Sequence, residues 1–485
     1  MTIRVLRTGI RALPMHTRMP FRYGIATLTT LPHLFVRVDL EVDGVPCSGI
    51  AADGLAPKWF TKNPATTTDH DIAEMVEVIE AACAFARSAG GAATVFELWQ
   101  HIYAAQQRWG SSKEYPPLLW GFGVSLVERA LIDAFCRARG STFATAVRDN
   151  SFGIRLGAIH PELAGVAPAD LLPAQPRSSI TVRHTVGLSD PLVDEEILPG
   201  ERVDDGLPQS LAACVRAYGL TYFKIKLCGD AARDTARLRR IAEVLAVEAP
   251  QYTCTLDGNE QFDTVESFRA AWQALADDQQ LVPLMSRLLF VEQPLHRDVA
   301  LSADTARGIT AWIDKPPMII DESDGALTSL PTALACGYAG TSHKNCKGVF
   351  KGIANACLLN QRQRSDPDRQ YILSGEDLAN VGPVALLQDL AVMATLGIEH
   401  VERNGHHYFT GLSMFAPDVQ ERVLAHHGDL YTRHARGFAT LDIRDGGAAI
   451  GSVIAAPFGL NFAFDTQRYT PVRDADTPSR RHWRT

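Results

Sequence analysis

Short apolar runs alternate with amphipathic stretches from about residue 180 onward. The runs at 180–187, 222–227, 253–257, 288–293, 317–322, 340–345, 371–375 and 397–402 are β-favouring and too short for ordinary helices. Between most of them apolar positions recur on one helical face, most regularly over 230–249 and 348–362 and least regularly over 298–314. Eight strands alternating with helices over about 220 residues predict an α/β fold, a (β/α)8-type (TIM-like) parallel barrel. Residues 1–150 follow another rhythm. Segments 3–13 and 34–42 alternate apolar and polar positions as half-buried antiparallel strands do, with loops at 17–24 and 49–60. Helical periodicity takes over at 73–87, 95–108 and 123–138, which predicts an N-terminal α+β domain. Residues 151–178, rich in Pro, Ala and Gly, read as a linker into a barrel spanning 179–430. The remaining 431–485 form a C-terminal segment whose run 448–454 is expected to pack back on the first domain.

The barrel strands end in charge. Lys224 and Lys226 lie two apart on strand two and share a face. Asp257, Glu292 and Asp321 end strands three, four and five, and Lys344 ends strand six, at steps of 23 to 35 residues. One charged residue at the C-terminal end of each successive strand is how such a barrel assembles an active site. A single acid there more often caps the next helix, but three in order converge on one rim. Converging carboxylates stay ionised only around a cation. Oxygen donors without Cys or His favour Mg2+ over Zn2+. Lys224 and Lys226 stand across the mouth from Lys344. A carboxylate substrate held on Mg2+ would then meet a proton-transfer group on each side of its α-carbon. A lysine among cations and apolar walls is expected to have its pKa lowered.

Composition removes other classes. The chain of 485 residues is long enough for two domains, and its formal net charge of −8 offers no basic footprint for nucleic acid. No apolar run is long enough to span a bilayer. The nine cysteines are scattered without a CxxC pair, and the first residues alternate like a strand rather than a secretory leader. A cytoplasmic protein with reduced thiols is expected. No Gly-rich phosphate loop or Ser-nucleophile motif is present, and no His-x-His accompanies His184, which argues against an amidohydrolase-type metal barrel.

The segments Lys224-Ile-Lys226, Asp257-Gly-Asn259, Val291-Glu-Gln-Pro294, Asp321-Glu-Ser323 and Lys344-Asn-Cys-Lys-Gly348 resemble, in this order, the motifs of the enolase superfamily. The resemblance is to the muconate lactonizing enzyme–like branch (mandelate racemase/muconate lactonizing enzyme family). It covers nearly the whole chain, since the first domain is similar to that family's capping domain. It implies Mg2+ on Asp257, Glu292 and Asp321, and Lys226 and Lys344 as acid or base on opposite faces. Lys224 would sit against the substrate carboxylate and lower the pKa of Lys226. Loops around Phe21-Arg-Tyr23 and Lys58-Trp-Phe60 would close over a small-molecule carboxylate, and a homo-oligomer is expected. The implied chemistry is removal of a proton α to a carboxylate through a stabilised enediolate. Racemisation or epimerisation, cycloisomerisation, or β-elimination would follow. An acid-sugar dehydratase, a metal-dependent hydrolase, and a non-catalytic barrel acting as a binding protein are the alternatives.

Two departures bear on the substrate. Strand seven ends Tyr371-Ile-Leu-Ser-Gly-Glu-Asp377 without the His of the mandelate racemase–like branch. Strand eight offers Glu402-Arg-Asn404 where dipeptide epimerases carry Asp-x-Asp. Arg22, Tyr23, Lys58 and Trp59 hint at a ligand with an anionic or aromatic distal part. Ser374, Glu402 and His406 are candidate substrate contacts at the ends of strands seven and eight. Asn259 either touches a metal-bound water or serves the turn after Asp257. Lys347 and Lys351 are expected to be solvated on the next helix, and His343 to face the surrounding helices.

Overall fold

The computed structural model describes residues 1–23 and 25–472. Strands β1 (Ile3–Tyr23), β2 (Ala26–Val42) and β3 (Val45–Gly54) form an antiparallel sheet. Of the segment 17–24, expected as a loop, residues 17–23 are instead the far end of the β1–β2 hairpin, and Gly24 lies outside the described residues. Phe21, Arg22 and Tyr23 pair with Leu28, Thr27 and Ala26, beyond a register shift that follows His16. Met19, Phe21 and Tyr23 are buried while Arg22 is exposed, so the two-residue period of a strand continues to the tip.

Helices α1 (Thr68–Ser88), α2 (Val95–Ser112) and α3 (Pro117–Arg139) complete the first domain. Helix α3 is buried along most of its length because it lies between the sheet and the barrel. Its polar groups are matched: Arg129 Nη2 donates to Asp53 Oδ2 at 2.8 Å, and Asp133 Oδ2 accepts from the Ile50 amide at 3.0 Å. Glu128 accepts from the amides of Val349 and Phe350 at 3.1 and 2.7 Å, which caps the barrel helix Val349–Ser365 from the other domain. Burial pushes the Glu128 carboxyl up from 4.5 to about 7, against those two amides and the nearby Arg129 and Lys351. An acid with a raised folded pKa binds more protons when folded, so its contribution to stability falls as pH rises from about 4.5 toward 7. Glu128→Gln is expected to remove that slope, a difference on the order of 3 kcal/mol across the interval in chemical denaturation. An unchanged slope would contradict the assignment.

Eight parallel strands form the barrel: Ser179–Val186, Tyr222–Lys226, Thr253–Asp257, Leu288–Glu292, Met318–Ile320, Gly340–His343, Ile372–Gly375 and His400–Arg403. Each pairs with the next, and the last closes on the first through His400↔Thr181 to Arg403↔His184. The weakly patterned connection 298–314 holds a helix, Ala303–Ala311, capped by the Ser302 hydroxyl. Residues 151–178 are packed rather than extended: Leu163, Pro168 and Leu171 are buried, and Asn360 and Arg364 of the helix Val349–Ser365 donate to the Leu171 and Asp170 carbonyls.

The C-terminal segment returns differently from expectation. Gly447–Ala449 adds antiparallel to the first barrel strand, and the following helix Gly451–Ala455 packs on the barrel helix Ala385–Leu396. The contact with the first sheet is made later, where Thr470 and Pro471 pair with Ala12 and Arg11. The part of this segment beyond 472 lies outside the described residues. No described helix is long and apolar enough to cross a membrane.

Candidate active site

Register places the charged strand ends at one level. Lys226 pairs with Asp257 and Asp257 with Glu292, and residues directly paired on parallel strands project from the same face. Asp321 and Lys344 follow strands five and six directly. Lys224, Lys226, Asp257, Glu292, Asp321 and Lys344 are all buried. Lys226 Nζ donates to Asp257 Oδ2 at 2.7 Å. Lys224 Nζ lies 2.9 Å from Asp257 Oδ2, 2.8 Å from Glu292 Oε2, 2.5 Å from Glu376 Oε2 and 3.1 Å from Glu402 Oε2. Asp321 is bonded by Lys344, by Lys347 at 3.0 Å and by the Ser342 hydroxyl at 2.5 Å.

At Lys224 and Lys344 these neighbours reverse the expected shift. Burial disfavours the charge on Lys224, yet Asp257, Glu292, Glu376 and Glu402 together hold its pKa well above the usual lysine value. Lys344 is likewise raised, its burial outweighed by Asp321 and more distant acids. Lys347 and Lys351, expected in solvent, are buried too, since Lys347 bonds Asp321 and Lys351 pairs with Asp324 at 3.1 Å. Lys347 closes the 3-10 turn Asn345–Lys347, and Lys351 lies in the first turn of the helix Val349–Ser365 that follows it.

The three acids could hold a cation in addition to their lysine partners. Burial, then the charge of Glu376, pushes the Glu292 carboxyl well above the usual range, with Lys224 opposing. Its Oε2 makes no hydrogen bond, although Lys224 Nζ is close. Asp257, Glu292 and Asp321 are hard oxygen donors, and a buried carboxylate oxygen that makes no hydrogen bond among them fits a small divalent cation such as Mg2+. The turn after Asp257 serves that acid: the Asn259 amide donates to Asp257 Oδ1 at 2.9 Å, and Asn259 and Glu260 take positive φ of 42° and 62°. The Asn259 side chain lines the cavity, and its Oδ1 is buried without a partner.

Several supporting residues escaped the sequence reading. Gln293 Oε1 accepts from the Asp321 amide at 2.7 Å, and its Nε2 donates to the Ser323 hydroxyl at 2.8 Å, so strand four orients the acid of strand five. Glu376 sits behind Glu402, held by Arg183 from the first strand and by Lys224. Arg183 also donates to Ser374, which therefore faces this buried network and not the cavity. The acidic pair at 376 and 377 was visible in the chain. Only the barrel's closure shows which of the two turns inward.

A small cavity lies over these groups, lined by Lys224, Lys226, Asn259, Asp321, Lys344, Asp377, Glu402 and Asn404 and, on the apolar side, by Phe21, Tyr23, Leu28, Ala56, Trp59, Leu378 and Ala379. Its room for water is about 30 Å3, enough for about two molecules. A larger ligand requires the covering segments to move. The hairpin tip is held by Phe21 stacked on Tyr408 at 4.1 Å between centroids and by Arg18 bound to both carboxylate oxygens of Asp205 at 2.6 and 2.8 Å. The 55–60 segment is held by Arg297, which donates to the Trp59 and Phe60 carbonyls at 2.8 Å.

Of the proposed substrate contacts, Tyr23, Trp59, Asn259 and Glu402 line the cavity. Arg22 points to solvent. Lys58 has a positive φ of 61° and turns away to Thr66 and Asp71, so it braces its own loop. His406 is buried against His184, behind the wall. His343 packs on the following helix at Gly352, as expected, and bonds Asn345 at 3.0 Å.

Trp59 lies with its ring 4.8 Å from Lys344 Nζ. Trp59→Ala is expected to lower kcat/KM about tenfold, with Trp59→Phe retaining most of the activity, as loss of a cation–π contact and of an apolar wall requires. Equal loss in both variants would assign Trp59 a shape-filling role only.

No protein-family model and no curated protein matches the chain. Solved structures do match it, end to end. A muconate lactonizing enzyme from Pseudomonas fluorescens complexed with muconolactone superposes with a TM-score of 0.59 at 14% identity, over 96% of this chain and 98% of that one. An enolase from Bradyrhizobium complexed with magnesium and mandelic acid gives 0.58 at 15% identity, over 97% and 99%. An N-succinyl Arg/Lys racemase from Bacillus cereus gives 0.53 at 14% identity, over 94% and 97%. The barrel with its N-terminal capping domain is the architecture these proteins share.

Proposed function

We propose that this protein is a Mg2+-dependent isomerase or lyase that removes a proton α to the carboxylate of a small acid. One observation carries the reading: Lys226 and Lys344, from strands two and six of a closed eight-stranded barrel, line one cavity beside the Asp257–Glu292–Asp321 trio. Asp257, Glu292 and Asp321 would hold the ion. Bound there, Mg2+ would offset the carboxylate charge around the lysines and the second negative charge that develops on the substrate carboxylate. One lysine, in its neutral form, accepts the α-proton. The other, as ammonium on the opposite side, can return a proton with inversion; if a β-substituent departs instead, the outcome is elimination. Glu402 and Asn404 contact the substrate's polar edge, and the capping segments exclude water from the enediolate.

The cover is apolar and aromatic, while Arg22 and Lys58 turn away from it. This supports an acid with an aromatic or aliphatic distal part over one with an anionic tail. A similar structure from Bradyrhizobium holds mandelic acid, an aromatic α-hydroxy acid. Cysteines that are all unpaired suit a reducing, cytoplasmic setting. The test is deuterium incorporation at the α-carbon in D2O with Mg2+, across aryl and alkyl hydroxy acids, N-acylamino acids and lactones. No exchange on any acid, together with no Mg2+ uptake by calorimetry, would leave the non-catalytic barrel as the better reading.

A further inference from the structure

We propose a second metal site, for structural Zn2+, at the seam where the barrel closes. His184 on the first barrel strand, Cys214 on the helix Leu211–Tyr218 and His407 on the turn Gly405–Tyr408 each offer one ligand atom, and the three atoms lie within 4.8 Å of one another. All three residues are buried, and none lines the cavity over the lysines. The chain brings them together from three elements only by closing strand eight onto strand one, where Arg403 pairs with His184.

One pair of the three ligand atoms already stands at the separation a bound ion sets. Cys214 Sγ lies 3.5 Å from His407 Nδ1, and zinc bonds of ordinary length set tetrahedral ligand separations of roughly 3.3 to 3.6 Å. With Nδ1 of His407 toward the sulfur, its Nε2 points to Asp190 Oδ2 at 3.8 Å. A carboxylate behind a ligating imidazole is the usual orienting partner in zinc proteins. Asp190 is itself fixed by the Tyr408 hydroxyl at 2.6 Å and the Gly187 amide at 2.8 Å. His184 Nδ1 meets His406 Nε2 at 3.2 Å, so its other ring nitrogen remains for the metal. His406 Nδ1 is buried and has no partner; it lies outside the trio, so its ring becomes the fourth ligand only by turning toward the ion. A thiolate with imidazoles selects zinc among the common divalent ions, in contrast to the all-oxygen set at Asp257, Glu292 and Asp321.

The position gives the ion a role. The turn Gly405–Tyr408 follows Asn404 of the cavity wall and carries Tyr408, on which Phe21 of the hairpin stacks. The hairpin's Arg18 also donates to the His407 carbonyl at 3.1 Å. Zinc on His407 would therefore stiffen the surface against which the hairpin closes.

The test uses the full-length protein with Mg2+ kept saturating. After exposure to Zn2+ and desalting, elemental mass spectrometry is expected to find about one equivalent of zinc per chain. Substitution by Co2+ is expected to give a thiolate-to-cobalt charge-transfer band that an oxygen-only site cannot produce. Cys214→Ser is expected to abolish the band and the zinc, while Asp257→Asn retains both. A wild-type chain without the band overturns the proposal whatever the variants do. So does a band that persists in Cys214→Ser.

Discussion

Lys226→Ala and Lys344→Ala are each expected to lower turnover by about 10²- to 10⁴-fold, the range for removing a positioned acid or base, with little change in folding. The second half of that expectation follows from redundancy in the network. Without Lys226, Asp257 still has Lys224 at 2.9 Å and the Asn259 amide. Without Lys344, Asp321 keeps Lys347 at 3.0 Å and the Ser342 hydroxyl. Neither substitution strands a buried carboxylate, which is what makes breaking a buried ion pair so destabilising. The two variants also separate the possible outcomes. If the enzyme inverts a stereocentre, each variant loses α-proton exchange from one enantiomer and keeps it from the other. If one lysine is a base and the other a spectator, a single variant loses all exchange. Activity above about a tenth of wild type in both, on a substrate the wild type turns over, would remove the lysines from the mechanism, since a positioned base contributes far more than tenfold.

The candidate site was legible because its residues interrupt apolar runs. A lysine or acid at the end of Tyr222–Lys226, Thr253–Asp257 or Leu288–Glu292 stands out against Val, Ile, Leu and Phe, and strand parity fixes the face it shares. What the sequence hid depends on contacts made at long range. The hairpin tip at 17–23 looks like a loop because Pro20 is a turn residue, but cross-strand pairing and the seat on Tyr408 override it. Lys347 and Lys351 looked like solvent-facing helix residues, and nothing local shows that Asp321 and Asp324 wait beneath them. Gln293 is a neutral residue beside a motif acid, and its role appears only when strand five arrives next to strand four. At Lys224 a lowered pKa is expected from the cations and apolar walls alone; the acids around it, Asp257 and Glu292 first and then Glu376 and Glu402, outweigh them, and the last two reach it only when the barrel closes.

Glu292→Gln is expected to abolish stabilisation by Mg2+ while leaving the protein at least as stable as wild type without the ion. Glu292 is fully buried, and its carboxyl is pushed up by burial and by the neighbouring charge of Glu376. Its acid side chain is therefore costly to the fold in the absence of a cation, and an amide of the same shape relieves that repulsion. The amide can still accept from Lys224, so no buried ammonium loses all its partners; Asp257, Glu376 and Glu402 remain within 3.1 Å of it. For the wild type, Mg2+ at a hundred times its dissociation constant adds about 2.7 kcal/mol by mass action, visible as a rise in Tm that chelation reverses. In Glu292→Gln that rise is expected to vanish, because a neutral amide is a much poorer partner for a hard divalent ion than a carboxylate. Asp257→Asn is the control: it too should lose the Mg2+ response, but Asp257 is held below the usual range by Lys224 and Lys226 against burial, so its neutralisation destabilises the fold. Opposite stability changes with a shared loss of the Mg2+ response would place the ion between these two side chains. A Mg2+-induced rise in Tm undiminished in both variants would place it elsewhere, and the proposed chemistry would lose its Lewis acid.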